Sequence, residues 1–176
     1  MVQQDKSRRY KRIFALIWSG LLVVIIVPII GCIISFNLDN IFGIKIHILF
    51  PLNLILALII LCNGFFWAIW SNVELYRIGK GSPVPLPGIQ TEFLVAKGPY
   101  KYTRNPMIFG YIFIWIGLGF LFNSFFLLFG ATSFFTIFLI LFVKLWEEKN
   151  LEERFGESYN NYKKNISFLI PLPEKN

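Results

Sequence analysis

Two groups of residues have the types and spacing to do chemistry. Gly98–Gly110, reading GPYKYTRNPMIFG, puts a Gly-Pro turn, Tyr100, Tyr102, Lys101, Arg104 and an Asn-Pro at the entrance to a very apolar run. Glu147 and Glu148 follow the next apolar run. A helix starting near Pro106 would present unsatisfied N–H groups and the positive end of its dipole, which suit a carboxylate or phosphate. Carboxylates facing it would suit an ammonium. A pocket charged at both ends, walled by aromatics and open to lipid on one side would fit an amino-acid-like cofactor acting on a lipidic substrate. On composition alone, Tyr100, Tyr102 and Arg104 suit a plain interfacial anchor equally well. Glu147 and Glu148 likewise suit the solvated face of a surface helix.

Other chemistries find little support. His47 is the only histidine, and the topology read from the basic residues puts it on the opposite side from both groups, which argues against a Ser-His or Cys-His pair and against a histidine-rich metal site. Cys32 and Cys62 fall inside apolar blocks without CxxC spacing, so buried inert thiols are expected. No GxGxxG or GxxxxGK[ST] phosphate loop occurs. The net charge of +7 is spread between apolar blocks instead of along one face, a pattern suited to anionic lipid headgroups and not to nucleic acid.

The elements that must position these residues follow from hydropathy. With 56% apolar and 15% charged residues, the 176-residue chain reads as a polytopic, all-α integral membrane protein. Residues 1–12 form a basic tail, and 13–71 hold two membrane helices, Ile13 to about Phe36 and Ile48 to about Ser71. The first is too long for a signal h-region and lacks a small-residue cleavage site, so it is read as retained. Asn37–His47 reads as a polar connection, and Asn63-Gly64 as a helix-packing interruption of the second span. Residues 72–176 hold a loop stiffened by Pro83, Pro85 and Pro87, then the spans Met107–Phe122 and Phe125–Leu145. The Asn123-Ser124 break predicts a tight helical hairpin with Gly117 opposite Gly130. Beyond it, Leu151 and Phe155 predict an amphipathic tail helix ending at Gly156. Basic residues crowd the N-terminal tail, the 72–105 segment and the chain from Lys144 onward, while the first connection has only Lys45. The positive-inside rule then predicts four spans with both termini in the cytoplasm. Both chemical groups meet at the open, cytoplasmic end of the hairpin.

The pattern L-V-x-x-G-P-Y-x-Y-x-R-N-P-M at Leu94–Met107, followed by E-E-x-x-L-x-x-x-F-G-x-x-Y-x-x-Y at Glu147–Tyr162, resembles the isoprenylcysteine carboxyl methyltransferase family. More broadly it is similar to bacterial integral-membrane methyltransferases and phospholipid methyltransferases. The resemblance covers roughly the part from Gly79 onward. It implies transfer of a methyl group from S-adenosylmethionine, at the cytoplasmic face, to a lipophilic small molecule or a prenylated or lipid substrate. By position it implies cofactor contacts from Glu92, Phe93, Leu94, Val95, Tyr100, Arg104, Asn105, Pro106, Met107, Ile108 and Glu147. The family's substrate-binding arginine falls near Val143 or Lys144, so Lys144 is the substrate-binding candidate, and Ile108 replaces a usual tyrosine. No metal and no nucleic-acid partner are implied. An NADPH-dependent steroid-type membrane reductase shares a G-x-Y-x-x-x-R-x-P approach, though with more spans. A non-catalytic membrane scaffold is the remaining alternative. Oligomeric state and the identity of the membrane are not readable from the residues.

Overall fold

The computed structural model describes Tyr10, Phe14, Trp18 and residues 21–44, 46–81 and 90–174. The remaining basic-tail residues and Pro83, Pro85 and Pro87 lie outside these. Among the described residues the architecture is all-helical. A π-helical turn at Leu22–Ile26 leads into α1 (Val27–Phe42), followed by α2 (Leu52–Arg77) and α3 (Pro106–Phe122). Then come the long α4 (Phe126–Phe155) and the short polar α5 (Glu157–Asn165).

At 1.5 Å per residue, α2 and α4 extend roughly 39 and 45 Å, longer than a hydrocarbon core of about 30 Å. Only 11% and 17% of the residues in their most apolar stretches are buried in the protein. A core helix of a soluble protein would be mostly covered, so these faces meet lipid and the protein is integral to a membrane. About 20 residues of α4 suffice to cross, which leaves its polar end from Trp146 to Phe155 projecting beyond the apolar part.

The helices pack where side chains are missing. A Cβ on Gly64 would lie 2.8 Å from the Gly110 carbonyl oxygen, and one on Gly110 would lie 2.6 Å from that of Gly64. The α2 and α3 backbones therefore touch at this crossing, as membrane helices joined by dispersion and not by water exclusion tend to do. The Gly64 interruption is thus a packing feature, and the neighbouring Asn63 is exposed. Tyr111, Ile114, Trp115 and Leu127 form the core, with Trp115 stacked on Phe135 at 4.4 Å between ring centroids.

The hairpin is present, but its glycines face elsewhere. Gly117 packs on Leu61 of α2, a Cβ there reaching Leu61 Cγ at 2.7 Å, whereas Gly130 has only Phe126 nearby. It is Gly119 that meets the facing arm, at Leu128. The reason is that α3 is shared between α2 and α4, so its glycines are divided between two neighbours.

The first connection is also shorter than expected. Asn37–Phe42 continue α1, and Asp39 is buried there at 4% exposure. Its carboxylate accepts from the Ser124 hydroxyl and from the Phe126 N–H at 3.0 Å, while Ser124 Oγ accepts the Leu127 N–H at 3.1 Å. Asp39 thereby satisfies the free N–H groups of the start of α4, which draws a residue of connection-like type into the helix. At the other end, Asn72–Arg77 extend α2 where a loop was expected, and α5 adds a helix beyond Gly156.

Candidate functional site

Gly98 takes φ +59° to open a tight turn, Gly98–Lys101, that brings Tyr100 inward. A Cβ on Gly98 would press on Glu74 Cγ at 2.7 Å, so this turn is seated directly on the end of α2. Tyr102–Asn105 then lead irregularly into α3, with the Tyr102 and Thr103 N–H groups still bonded back to the Pro99 carbonyl, and Pro106 starts the helix, where its missing N–H costs nothing. The Asn105 N–H is taken by Thr103 Oγ1 at 3.3 Å, leaving Met107 and Ile108 as the first N–H groups of the helix without an intrahelical partner.

The polar end of α4 faces this approach. Arg104 donates to Glu148 at 2.5 Å, and both side chains are only 10% exposed. Lys163 of α5 pairs with the other Glu148 oxygen at 2.9 Å and with Glu152 at 2.8 Å. The hydrogen bonds from Lys163 to those two carboxylates raise its pKa. Glu148 therefore takes both cations. Its neighbour Glu147, half-buried, makes no ion pair or hydrogen bond among the described residues. Burial, aided by the charge of Glu148, pushes the Glu147 carboxyl up to about 7. Tyr100 lies close enough to feel that charge: burial first, then Glu147, then Tyr162 raise its phenol well above the usual range. Tyr162 donates to the Tyr100 carbonyl at 2.7 Å, and its own phenol is raised by burial. Burial also pushes Tyr159, packed near Arg104, up to about 12.

Glu147 and Lys144 sit on a π-helical turn, Val143–Glu147, inside α4. Such wide turns interrupt the regular ladder and re-aim the side chains they carry, and they are frequent at functional sites. The arrangement gives an uncompensated carboxylate, a buried phenol, free helix N–H groups and an aromatic margin where Trp70 and Tyr102 stand 6.5 Å apart. An ammonium beside Glu147 and a carboxylate at the helix start would satisfy groups that the protein itself leaves open.

The sequence profile of the family described as phospholipid methyltransferase matches residues 52–158, more than half of the chain. The chain belongs to the phospholipid methyltransferase family. A methanethiol S-methyltransferase of Pseudomonas deceptionensis is 38% identical over 78 residues, covering 44% of this chain and 28% of that protein. A methanethiol S-methyltransferase of Mycobacterium tuberculosis is 23% identical over 129 residues, covering 64% of this chain and 49% of that protein. These alignments thus span less than half the length of either relative.

Within this phospholipid methyltransferase family member, the residues expected from sequence divide into groups. Tyr100, Arg104, Asn105, Lys144 and Glu147 come together at the open end of the hairpin. Pro106, Met107 and Ile108 form the first turn of α3 beside them. Val95 is buried and Leu94 half-buried. Glu92 and Phe93 hydrogen-bond through their N–H groups to the Gly79 carbonyl at 2.7 and 3.4 Å, with Lys80 over the Phe93 ring at 5.4 Å. They brace the loop against the end of α2. The Asn105 side-chain amide is occupied, donating to the Phe168 carbonyl at 2.8 Å. Sequence reasoning overlooked Lys163 and the segment after α5. The Y-x-x-Y spacing of Tyr159 and Tyr162 is the visible signal for a helix face turned toward the site.

Proposed function

We propose that this protein is an S-adenosylmethionine-dependent methyltransferase that methylates a lipophilic acceptor. In this reading it crosses the membrane four times, both termini are cytoplasmic and the site opens to the cytoplasm, as the distribution of Lys and Arg supports. The observation that carries the proposal is Glu147, a half-buried carboxylate beside Tyr100 with no cation of its own among the described residues while adjacent Glu148 holds two. The residues fit the cofactor's amino-acid end. Glu147 would hold its ammonium, the Met107 and Ile108 N–H groups at the start of α3 its carboxylate, and Tyr100 would close the site beside it.

When bound, S-adenosylmethionine supplies an electrophilic sulfonium methyl group and leaves as a neutral thioether. The chain needs no strong base for such a displacement. Its residues align the acceptor and exclude water, and effective molarities for well-oriented groups are worth roughly 7–11 kcal/mol. The relatives named for methanethiol make a thiol the first acceptor to try, and the isoprenylcysteine-like motifs make a prenylcysteine carboxylate the second. Lys144, exposed on the rim, is the cation such an acceptor would meet.

The test is titration of purified protein with S-adenosylmethionine, S-adenosylhomocysteine and NADPH. Saturable binding of the first two alone is expected. Binding of NADPH alone would replace this reading by a reductase, and binding of none would leave a scaffold.

A further inference from the structure

The polypeptide after α5 does not trail away. Ile166 is buried, and Ser167–Leu172 run alongside the approach to α3. Arg104 N–H donates to the Ser167 carbonyl at 2.8 Å, and Leu172 N–H donates to the Tyr102 carbonyl at 2.9 Å. Between these, the Phe168 carbonyl accepts from Thr103 Oγ1 at 3.2 Å and from the Asn105 amide at 2.8 Å. The Phe168 ring faces two of the cations there, with Arg104 Cζ 5.4 Å and Lys144 Nζ 5.1 Å from its centroid. Arg104 is neutralised by Glu148, but Lys144 makes no ion pair among the described residues. The aromatic face is therefore the main thing that fixes where the Lys144 ammonium stands. This segment begins beyond residue 158, where the family match stops.

We propose that Phe168 is a positioning residue and that Ile166–Leu172 forms a wall of the site, the ring holding the Lys144 ammonium at the rim for an acceptor that reacts as an anion. Lys144 there would favour a thiolate or carboxylate over its protonated form. The part concerning the acceptor rests on the methyl-transfer reading. The part concerning the Lys144–Phe168 contact does not.

The experiment compares Phe168→Leu and Phe168→Tyr with wild type, using two readouts. The first is the rate at which an N-hydroxysuccinimide acetate reagent acylates Lys144, followed by mass spectrometry. A cation–π contact of about 0.5–1 kcal/mol corresponds to a rate about two- to fivefold higher in Phe168→Leu, with Phe168→Tyr near wild type. The second is methyl transfer from S-adenosylmethionine to methanethiol, where KM for the thiol should rise by a similar factor in Phe168→Leu and recover in Phe168→Tyr. Equal acylation rates in all three proteins, or a lowered thermal midpoint in Phe168→Leu with neither readout changed, would overturn the proposal. If wild type neither binds nor uses S-adenosylmethionine, the methyl-transfer reading fails, and the acylation comparison still decides whether Phe168 holds Lys144.

Discussion

Arg104 and Glu148 are 44 residues apart in sequence and meet at 2.5 Å with both side chains nine-tenths covered. This pair joins the approach to α3 with the projecting end of α4 and closes the open end of the hairpin. Lys163 still pairs with Glu148 when Arg104 is removed, so Arg104→Ala should destabilise the protein by less than the roughly 3–5 kcal/mol of a fully stranded charge. Glu148→Ala leaves Arg104 without its carboxylate while Lys163 keeps Glu152, so that variant should cost about 3 kcal/mol or more. Denaturant unfolding in detergent micelles would check both, and additive losses in the double variant would show that the two side chains are not coupled.

Glu147 makes a contrary prediction. Its folded-state pKa of about 7 lies above its ordinary value of 4.5, so the folded protein binds the extra proton between those limits. Its contribution to stability therefore falls as pH rises through that window. Glu147→Gln should remove this slope and raise the thermal midpoint at pH 8 more than at pH 5, a gain of order 1–3 kcal/mol. The same variant should bind S-adenosylmethionine at least tenfold more weakly by calorimetry. A stabilised protein with unchanged affinity would take Glu147 out of the cofactor site.

Helix packing gives a test free of chemistry. Gly64→Ala and Gly110→Ala each push a methyl into the opposing backbone, which should cost about 1–3 kcal/mol. Gly130→Ala, whose Cβ meets only Phe126 at 3.5 Å, should be close to neutral. Thermal midpoints of the three variants in one lipid or detergent would decide. An equal loss at Gly130 would return that glycine to the helix interface.

At the far end of the bundle, Asp39→Ala leaves the Ser124 hydroxyl and the Phe126 N–H without their acceptor. Loss of a helix cap of this kind should cost about 1–2 kcal/mol. The effect should appear in unfolding and in faster amide exchange at Phe126, with cofactor binding unchanged because the residue lies at the opposite end of α4.

Several features were legible in the residues themselves. The Pro106 start and the Asn123-Ser124 break report local backbone preference and stand where they were expected, whereas the helices that carry the apolar runs extend up to ten residues past the hydropathy limits. The meeting of Arg104 with Glu148 followed from the hairpin, since two antiparallel helices joined by a tight turn must bring their outer ends together. Other features depended on neighbours. Asn37–Asp39 look like a connection until Ser124 and the Phe126 N–H supply partners for the carboxylate. Gly117 faces Leu61 because a third helix competes for that side of α3. Glu147 and Glu148 are chemically identical and adjacent, yet Glu148 holds two cations and Glu147 holds none among the described residues. Phe168 reads as part of a proline-ended tail until its ring is seen over Lys144.

The sequence alone determined that this chain inserts in a membrane, folds as helices and carries its polar chemistry at one end of a hairpin, because apolar run length and helix-breaking residues act locally. Only the tertiary structure decided which carboxylate is left open, which glycines touch and what forms the rim of the site. Those outcomes depend on which of several nearly equivalent groups reaches a partner first, and that is set by helix rotation and chain path across many residues.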